Sequence, residues 1–153
     1  MTARDYFEAA HLAAKELERT RANLMMMEAR EQAAGSSLGG HVAGGSSDPM
    51  ARTDARIDRE AMWHRRVAEA EATLDRATMV VYGRGYDEKG GIAKGIGSVY
   101  ADVIYWRYLD RQPWSKVAEL VSTTPRTARR MHDMALDYVD AVGIEGAITG
   151  VEV

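Results

Sequence analysis

The sequence predicts an all-α protein with a long N-terminal helical hairpin and a C-terminal three-helix unit of the helix-turn-helix type. Apolar residues recur every three or four positions, three prolines stand beside plausible helix starts, and glycine-rich segments separate the helical stretches. The expected organisation is a hairpin over residues 1–82, a glycine-rich linker over 83–97, a helix-turn-helix unit over 98–143 and a tail over 144–153.

The first expected helix runs from about Ala3 to Ala34. Thr2 stands where a capping residue is expected, and Asp5 follows three positions later, near the positive end of the helix. The apolar residues of this stretch are spaced by four, three and seven positions, which predicts a heptad seam packed on another helix. The seam consists of Tyr6, Ala10, Ala13, Leu17, Leu24 and Met27.

A second long helix is expected from about Met50 to Val81, after a glycine- and serine-rich loop over residues 35–49. Pro49 suits the first turn of this helix because proline has no amide hydrogen to lose there. The two helices favour an antiparallel hairpin, but the same seams could pair two chains, and the sequence leaves both open. The apolar stripe of the second helix is Ile57, Trp63, Val67, Ala70, Leu74, Ala77 and Val81.

Residues 83–97 contain six glycines in fifteen positions, which would be costly inside a helix. We interpret this segment as a linker, with a short helical turn near Ile92. A phosphate-binding loop is the alternative, but the segment has neither a preceding strand nor the Gly-Lys-Ser/Thr ending of such loops.

From Ser98 onward the pattern predicts three helices. The first ends near Asp110, a short one covers Trp114 to Val121, and the last runs from Arg126 to about Val142. A short helix, a three-residue turn and a longer helix make up a helix-turn-helix. Ser122 stands where a turn glycine is common, and Gly143 where a helix-ending glycine is expected. The residues expected where the helices meet are Val117, Ala118, Val121, Ala128 and Met131.

Charge is concentrated at this predicted turn. Between Arg111 and His132 there are five arginines and lysines and one acid, whereas Asp133 to Asp140 holds three acids and no base. A recognition helix presents its N-terminal end to the major groove, where arginine binds guanine or phosphate. Only the first two turns of the last helix are therefore expected to approach DNA. The candidate DNA-binding residues are Lys116, Thr123, Thr124, Arg126, Thr127, Arg129 and Arg130.

The stretch from about Val99 to Val142 contains a set of residues typical of one family of regulators. These residues are Arg107, Tyr108, Trp114, Val117, Ala118, Ser122, His132, Ala135 and Leu136. With them the stretch resembles the fourth region of sigma factors, and more closely the sigma-like phage regulators of late transcription of the RinA and ArpU kind. This resemblance implies a phage or prophage transcription regulator whose Arg126, Arg129 and Arg130 face DNA. Because other sigma regions are missing, it does not imply promoter opening by this chain alone.

Other chemistry finds little support in the sequence. The chain has no cysteine, and its four histidines are not spaced as metal ligands, so we expect neither a metal nor another cofactor. No nucleophile elbow or other catalytic arrangement is visible, so we do not expect an enzyme. His132 could reach phosphate or pack inside the protein. Without a visible signal peptide or membrane span, the expected location is the cytoplasm of a bacterial host.

The net charge of −3 means that DNA binding must depend on local charge. The predicted function is sequence-specific binding of double-stranded DNA in transcription control, with the hairpin serving homodimerisation or contact with RNA polymerase. One alternative is a DNA-packaging protein resembling a phage small terminase subunit. The other is a helical protein-interaction adaptor that binds no nucleic acid.

Overall fold

The computed structural model describes residues 1–36, 49–85 and 89–150. Every regular element in these ranges is helical, which confirms the predicted all-α class. A π-helical turn over Tyr105–Leu109 directly continues the fourth helix. The helices are α1 Ala3–Ser36, α2 Pro49–Tyr82, α3 Ile92–Gly95, α4 Ser98–Ile104, α5 Trp114–Leu120 and α6 Pro125–Thr149.

The chain divides into two compact units. The hairpin unit, Lys15–Ala70, contains most of α1 and α2, whereas the core unit combines Met1–Ala14 with Glu71–Val153. The boundaries therefore fall inside the two long helices, not at the glycine-rich segment where the sequence analysis expected one. The reason is that the start of α1 and the end of α2 are buried in the apolar cluster of the core unit, to which the described residues from Lys15 to Ala70 do not contribute.

Ion pairs within one chain set the register of the hairpin unit. Arg66 lies 3.9 Å from Glu16, and Arg56 lies 3.2 Å from Glu31. As the residue number rises along α1 it falls along α2, so the helices run antiparallel. The alternative that the sequence had left open, pairing only between chains, is not needed to explain these seams.

The predicted seams are the more buried lines of both helices, with Leu17 and Ala70 buried and Leu24 and Val67 half-buried. Ile57 is an exception, because its side chain is 53% exposed. Helix α2 begins at Pro49, as predicted. Most of the loop predicted over residues 35–49 lies outside the described residues.

The core unit is built around one large apolar cluster, to which every helix of the unit except α5 contributes buried residues. Phe7 of α1 stacks on the ring of Tyr108, with 5.7 Å between the ring centroids. Burial of such aromatic and aliphatic side chains is the main force holding the helices together. The fully buried aliphatic members include Val80, Val81, Ile92, Ala101, Ile104 and Ala147.

The glycine-rich segment is not a linker over its described part, residues 89–97, which corrects the prediction. Gly90, Gly91 and Ile92 are buried, and the amide of Gly91 donates to the carbonyl of Ala147. A Cβ on Gly90 would overlap with the backbone carbonyl oxygen of Ile148. Glycine is needed here because two backbones come into direct contact. The short helical turn expected near Ile92 is present as α3.

The tail expected over residues 144–153 is also corrected where it is described. Gly143 interrupts α6 with φ of +78°, as a helix-ending glycine does, but the chain forms further helix up to Thr149. Ala147 and Ile148 in this last segment are buried in the large cluster. Burial of these two side chains explains why the chain folds back onto the core.

Candidate nucleic-acid interface

Helices α5 and α6 and the turn between them have the connectivity of a helix-turn-helix. The amide of Thr123 donates to the carbonyl of Ala118 at 2.9 Å and closes the end of α5. A second apolar cluster joins α4, α5 and α6 through four buried residues, with Trp106, Trp114, Val121 and Met131 packed against it. The packing predicted for this unit is confirmed, since the four buried residues are Val103, Val117, Ala118 and Ala128.

The turn passes through Ser122 in the left-handed region, with φ of +56°. This is the position at which the sequence analysis noted a serine in place of the common glycine. An L-residue with a Cβ pays roughly 1–2 kcal/mol for this conformation. Serine is tolerated because its side chain is small and exposed, and it keeps the three-residue turn between Val121 and Pro125.

Thr124, one of the candidate DNA-binding residues, caps α6. Its hydroxyl oxygen accepts the amide hydrogen of Thr127 at 3.2 Å, and the same hydroxyl donates to the Thr127 hydroxyl oxygen at 3.0 Å. The hydroxyl hydrogen of Thr124 is therefore used inside the cap. The hydroxyl hydrogen of Thr127 is still available for another acceptor.

One face of α6 is buried and the opposite face carries charge in two blocks. At 3.6 residues per turn, the buried residues from Ala128 to Val139 form a single stripe. On the opposite face, three arginines occupy the first two turns and three aspartates follow. The charged series along this face is Arg126, Arg129, Arg130, Asp133, Asp137 and Asp140, and all six are exposed.

The positive block is not neutralised within the described part of the chain. Neither Arg126, Arg129 nor Arg130 has a carboxylate within salt-bridge distance there, and the first turn of α6 contains no acid. Cations at a helix N-terminus oppose the helix dipole, which favours anions at that end. This end of α6 therefore offers unpaired guanidinium groups and a positive dipole end to an external anion.

The other predicted contact residues lie on the turn and on α5. Thr123 is half-buried, and Lys116 is exposed with its ammonium 3.6 Å from the Glu119 carboxylate. That pair is one helical turn apart on the surface, where such pairs contribute little to stability. The predicted contact residues thus lie on α5, on the turn and on the first two turns of α6.

The acidic block has partners on α1. The backbone amide of Ala3 donates to the Asp140 carboxylate at 2.7 Å, and the Arg4 guanidinium lies 3.8 Å from the carboxylate of Asp133. A carboxylate at the first amides of α1 satisfies an otherwise unpaired donor and complements the helix dipole. The second half of α6 therefore contributes to the folding of the core unit.

Trp114 at the start of α5 is the centre of a contact that sequence reasoning missed. The guanidinium carbon of Arg107, from the π-helical turn, lies 4.9 Å from the centroid of its indole ring, and that of Arg129 lies 5.7 Å away. Both distances fall within the range of cation–π attraction. Arg107 also donates to the carbonyl of Gln112 at 3.1 Å, which fixes its position at the α4–α5 connection.

His132 is buried and does not reach the surface to meet phosphate. Its Nδ1 lies 2.9 Å from the Asp133 carboxylate, and its Nε2 lies 2.6 Å from the Tyr108 hydroxyl. Because a carboxylate only accepts, Nδ1 carries the hydrogen and Nε2 accepts from Tyr108. The His132 ring also meets Trp114 edge to face at 5.1 Å. Burial lowers the pKa of His132 and outweighs the opposing effect of Asp133.

A cavity of about 410 Å³ lies beside this cluster in the core unit. Among its lining residues are Arg4, Glu8, His11 and Arg107. Burial is the main cause that lowers the pKa of His11, and the charges of Arg111 and Arg107 act in the same direction. No group of three or more histidine, aspartate or glutamate side chains in the described ranges is placed to hold a metal ion.

Comparisons with known proteins returned no matching protein family, no matching curated protein and no matching solved structure. None of the helices over residues 1–36, 49–85 and 89–150 has the length and apolar character needed to cross a membrane.

Proposed function

We propose that this protein binds double-stranded DNA sequence-specifically as a transcription regulator, with the first two turns of α6 in the major groove. The observation that carries the proposal is the unpaired arginine block at the positive end of a capped helix. The helix is preceded by a left-handed turn and a short helix packed through Ala118, the arrangement in which a recognition helix is presented to DNA. The resemblance to sigma-like phage regulators supports the same reading.

We propose different tasks for the three arginines. Arg126 and Arg130 lie near the middle of the exposed face of α6, where side chains are able to reach base edges. Arg129 lies toward α5 and contacts Trp114, so we assign it to the DNA backbone. Asp133 follows on the same face and repels phosphate, which limits the contact to about two helical turns.

The test is a salt titration of duplex binding followed by selection from a randomised duplex pool. Arg126→Ala combined with Arg129→Ala is expected to lower the slope of log K against log salt by about 0.9, since each phosphate contact contributes about 0.9 and only Arg129 is assigned to phosphate. Loss of Arg126 is expected to weaken the preference for a particular base. Arg59→Ala with Arg65→Ala, two exposed arginines of α2, removes the same charge and is expected to leave the slope unchanged.

Two outcomes would contradict the proposal. If the wild-type protein bound no duplex at low salt, a protein-interaction adaptor would explain the fold better. If both double variants lost the same affinity, binding would reflect net charge alone and the assignment of α6 would be wrong. Selection of a shared sequence from the pool would establish specificity, because phosphate contacts alone carry none.

We further propose that this chain forms a homodimer in which the hairpin units of two copies pack against each other. Beyond Thr20 no described side chain of this unit is buried until Ala70, while Met25, Met26 and Ile57 are at least half exposed. Charges in the described residues from Lys15 to Ala70 nearly balance, with nine basic and eight acidic side chains. A neutral surface of mixed sign allows two identical copies to approach.

The mass in solution tests this pairing. A dimer that Met26→Glu with Ile57→Glu converts to a monomer would support it and would fit a regulator that binds two half-sites. A ring of many subunits would favour a DNA-packaging role. A wild-type monomer would refute this pairing. The exposed apolar residues of the hairpin unit would then be candidates for contact with another protein, first of all RNA polymerase.

A further inference from the structure

We infer that Arg107 is a second DNA-backbone contact and that Trp114 is the positioning residue that holds it beside Arg129. This inference rests on the proposed function and extends the interface from α6 to the π-helical turn of the core unit. Arg107 is absent from the contact residues that the sequence predicts, because it lies on a different helix, 22 positions before Arg129.

The contacts of Trp114 carry the first step. Both guanidinium carbons lie within 6 Å of its ring centroid, at 4.9 Å for Arg107 and 5.7 Å for Arg129. The two cations therefore cannot be farther apart than the sum of these distances. Trp114 itself is held by its edge-to-face contact with the buried ring of His132 at 5.1 Å, so its orientation is fixed from the core.

The charges carry the second step. Both guanidinium groups lie against the same indole ring, and a carboxylate beside either of them would neutralise its charge. Within residues 1–36, 49–85 and 89–150, neither Arg107 nor Arg129 has a carboxylate oxygen at salt-bridge distance. Arginine pairs well with phosphate oxygens, and the pair is stronger where one side is already desolvated against an aromatic ring.

The position of Arg107 carries the third step. Its hydrogen bond to the carbonyl of Gln112 places it at the entry to α5, next to the start of the helix-turn-helix. Phosphate contacts from outside the recognition helix fix the register of a protein on the duplex without reading bases. We therefore assign Arg107 and Arg129 to one phosphate strand at the edge of the groove that receives α6.

The experiment measures binding of a fluorescent duplex of about two helical turns to the full chain over a salt series. Arg107→Met keeps the aliphatic stem but removes the charge, and is expected to lower the salt slope by about 0.9. Between about 50 and 200 mM salt that makes the loss of affinity roughly threefold smaller than in the wild type. Arg107→Lys keeps the charge and is expected to preserve the slope.

Arg65→Met on α2 is the matched control and should leave the slope at the wild-type value. Trp114→Phe keeps an aromatic face and should bind nearly as the wild type does, while Trp114→Leu should bind several-fold more weakly although every charge is retained. A melting curve of each variant identifies any loss of folding. If Trp114→Leu did not fold, the comparison of Arg107→Met with Arg107→Lys would still decide whether the charge of Arg107 contacts DNA.

Failure of this inference is distinguishable from failure of the proposed function. If Arg129→Ala lowered the salt slope but Arg107→Met did not, Arg107 would not contact DNA and only this inference would fall. If both Arg107→Met and Arg107→Lys lost affinity with an unchanged slope, Arg107 would act in folding alone. A wild-type protein without duplex binding would overturn both.

Discussion

Removal of one hydroxyl from Tyr108 tests how the core holds Trp114 at the start of α5. Tyr108→Phe deletes the donor to Nε2 of His132, which lies 2.6 Å away on a side chain that is only 4% exposed. A buried acceptor left without a partner costs about 1–3 kcal/mol. In a chain of this size each kcal/mol lowers the melting temperature by about 2–4 °C, so a loss of about 2 kcal/mol is expected to lower it by about 4–8 °C.

The assay is urea unfolding followed by circular dichroism, with Tyr100→Phe as the matched control. Tyr100 is a half-buried tyrosine of the same unit, and loss of its hydroxyl is expected to change the free energy of unfolding by less than about 0.5 kcal/mol. A double-mutant cycle isolates the hydrogen bond: in a His132→Ala background, Tyr108→Phe should cost at least about 0.5 kcal/mol less than in the wild type.

Equal unfolding free energies for the wild type and Tyr108→Phe would refute this reasoning. Water or another donor would then satisfy Nε2 of His132, and the orientation of Trp114 would not depend on this bond. If Tyr108→Phe lowered the free energy of unfolding equally in the wild type and in the His132→Ala background, the reasoning would also be contradicted. The loss would then arise from packing of the Tyr108 ring and not from its hydrogen bond to His132.

Three further predictions concern the same unit. Ser122→Gly is expected to stabilise the protein by roughly 0.5–1 kcal/mol because glycine relieves the left-handed strain but loses more entropy on folding, whereas Ser122→Val should destabilise it; equal melting temperatures would contradict this. Gly90→Ala is expected to cost about 1–3 kcal/mol in urea unfolding, because its Cβ would overlap the Ile148 carbonyl. Lowering the pH from about 7.5 to about 5.5 should reduce the free energy of unfolding, because burial lowers the folded pKa of His132 below its unfolded value and the unfolded chain then binds more protons. The contribution of His132 is full above the unfolded pKa and is lost as the pH falls from there through the folded pKa. His132→Gln should flatten this dependence in a pH series of urea titrations, with the contribution of His11 remaining.

Local signals were sufficient to predict the helix-turn-helix. The start of α6 is determined by Thr124 and Pro125, which act within a few residues of themselves. The small Ala118 and the apolar residues at helical spacing are buried where periodicity places them. Patterns of this kind depend on the helix repeat and on capping, and both are visible in the sequence without knowledge of the rest of the fold.

Features that depend on distant residues could not be predicted in this way. Gly90 is predicted to lie in a linker because glycine weakens helices. Its actual role is a backbone contact with Ile148, which lies 58 positions away and leaves no local signal in the sequence. Gly143 reads as an end because its left-handed backbone does end one helix, but burial of Ala147 outweighs that signal. The contact of Arg107 with Trp114 depends on side-chain directions across two helices, which spacing alone does not determine.

The two charge blocks of α6 explain how one exposed helix face serves two purposes. Asp133 and Asp140 are matched by Arg4 and by the first amide of α1, so charge in the second half of the helix is satisfied within the protein. The arginines of the first half have no such match among the described residues. If they served only solubility, exchanging Arg126 for glutamate would complement the helix dipole and stabilise the protein. Under the proposed function these arginines serve an external anion, and we expect Arg126→Glu to gain stability while losing duplex binding.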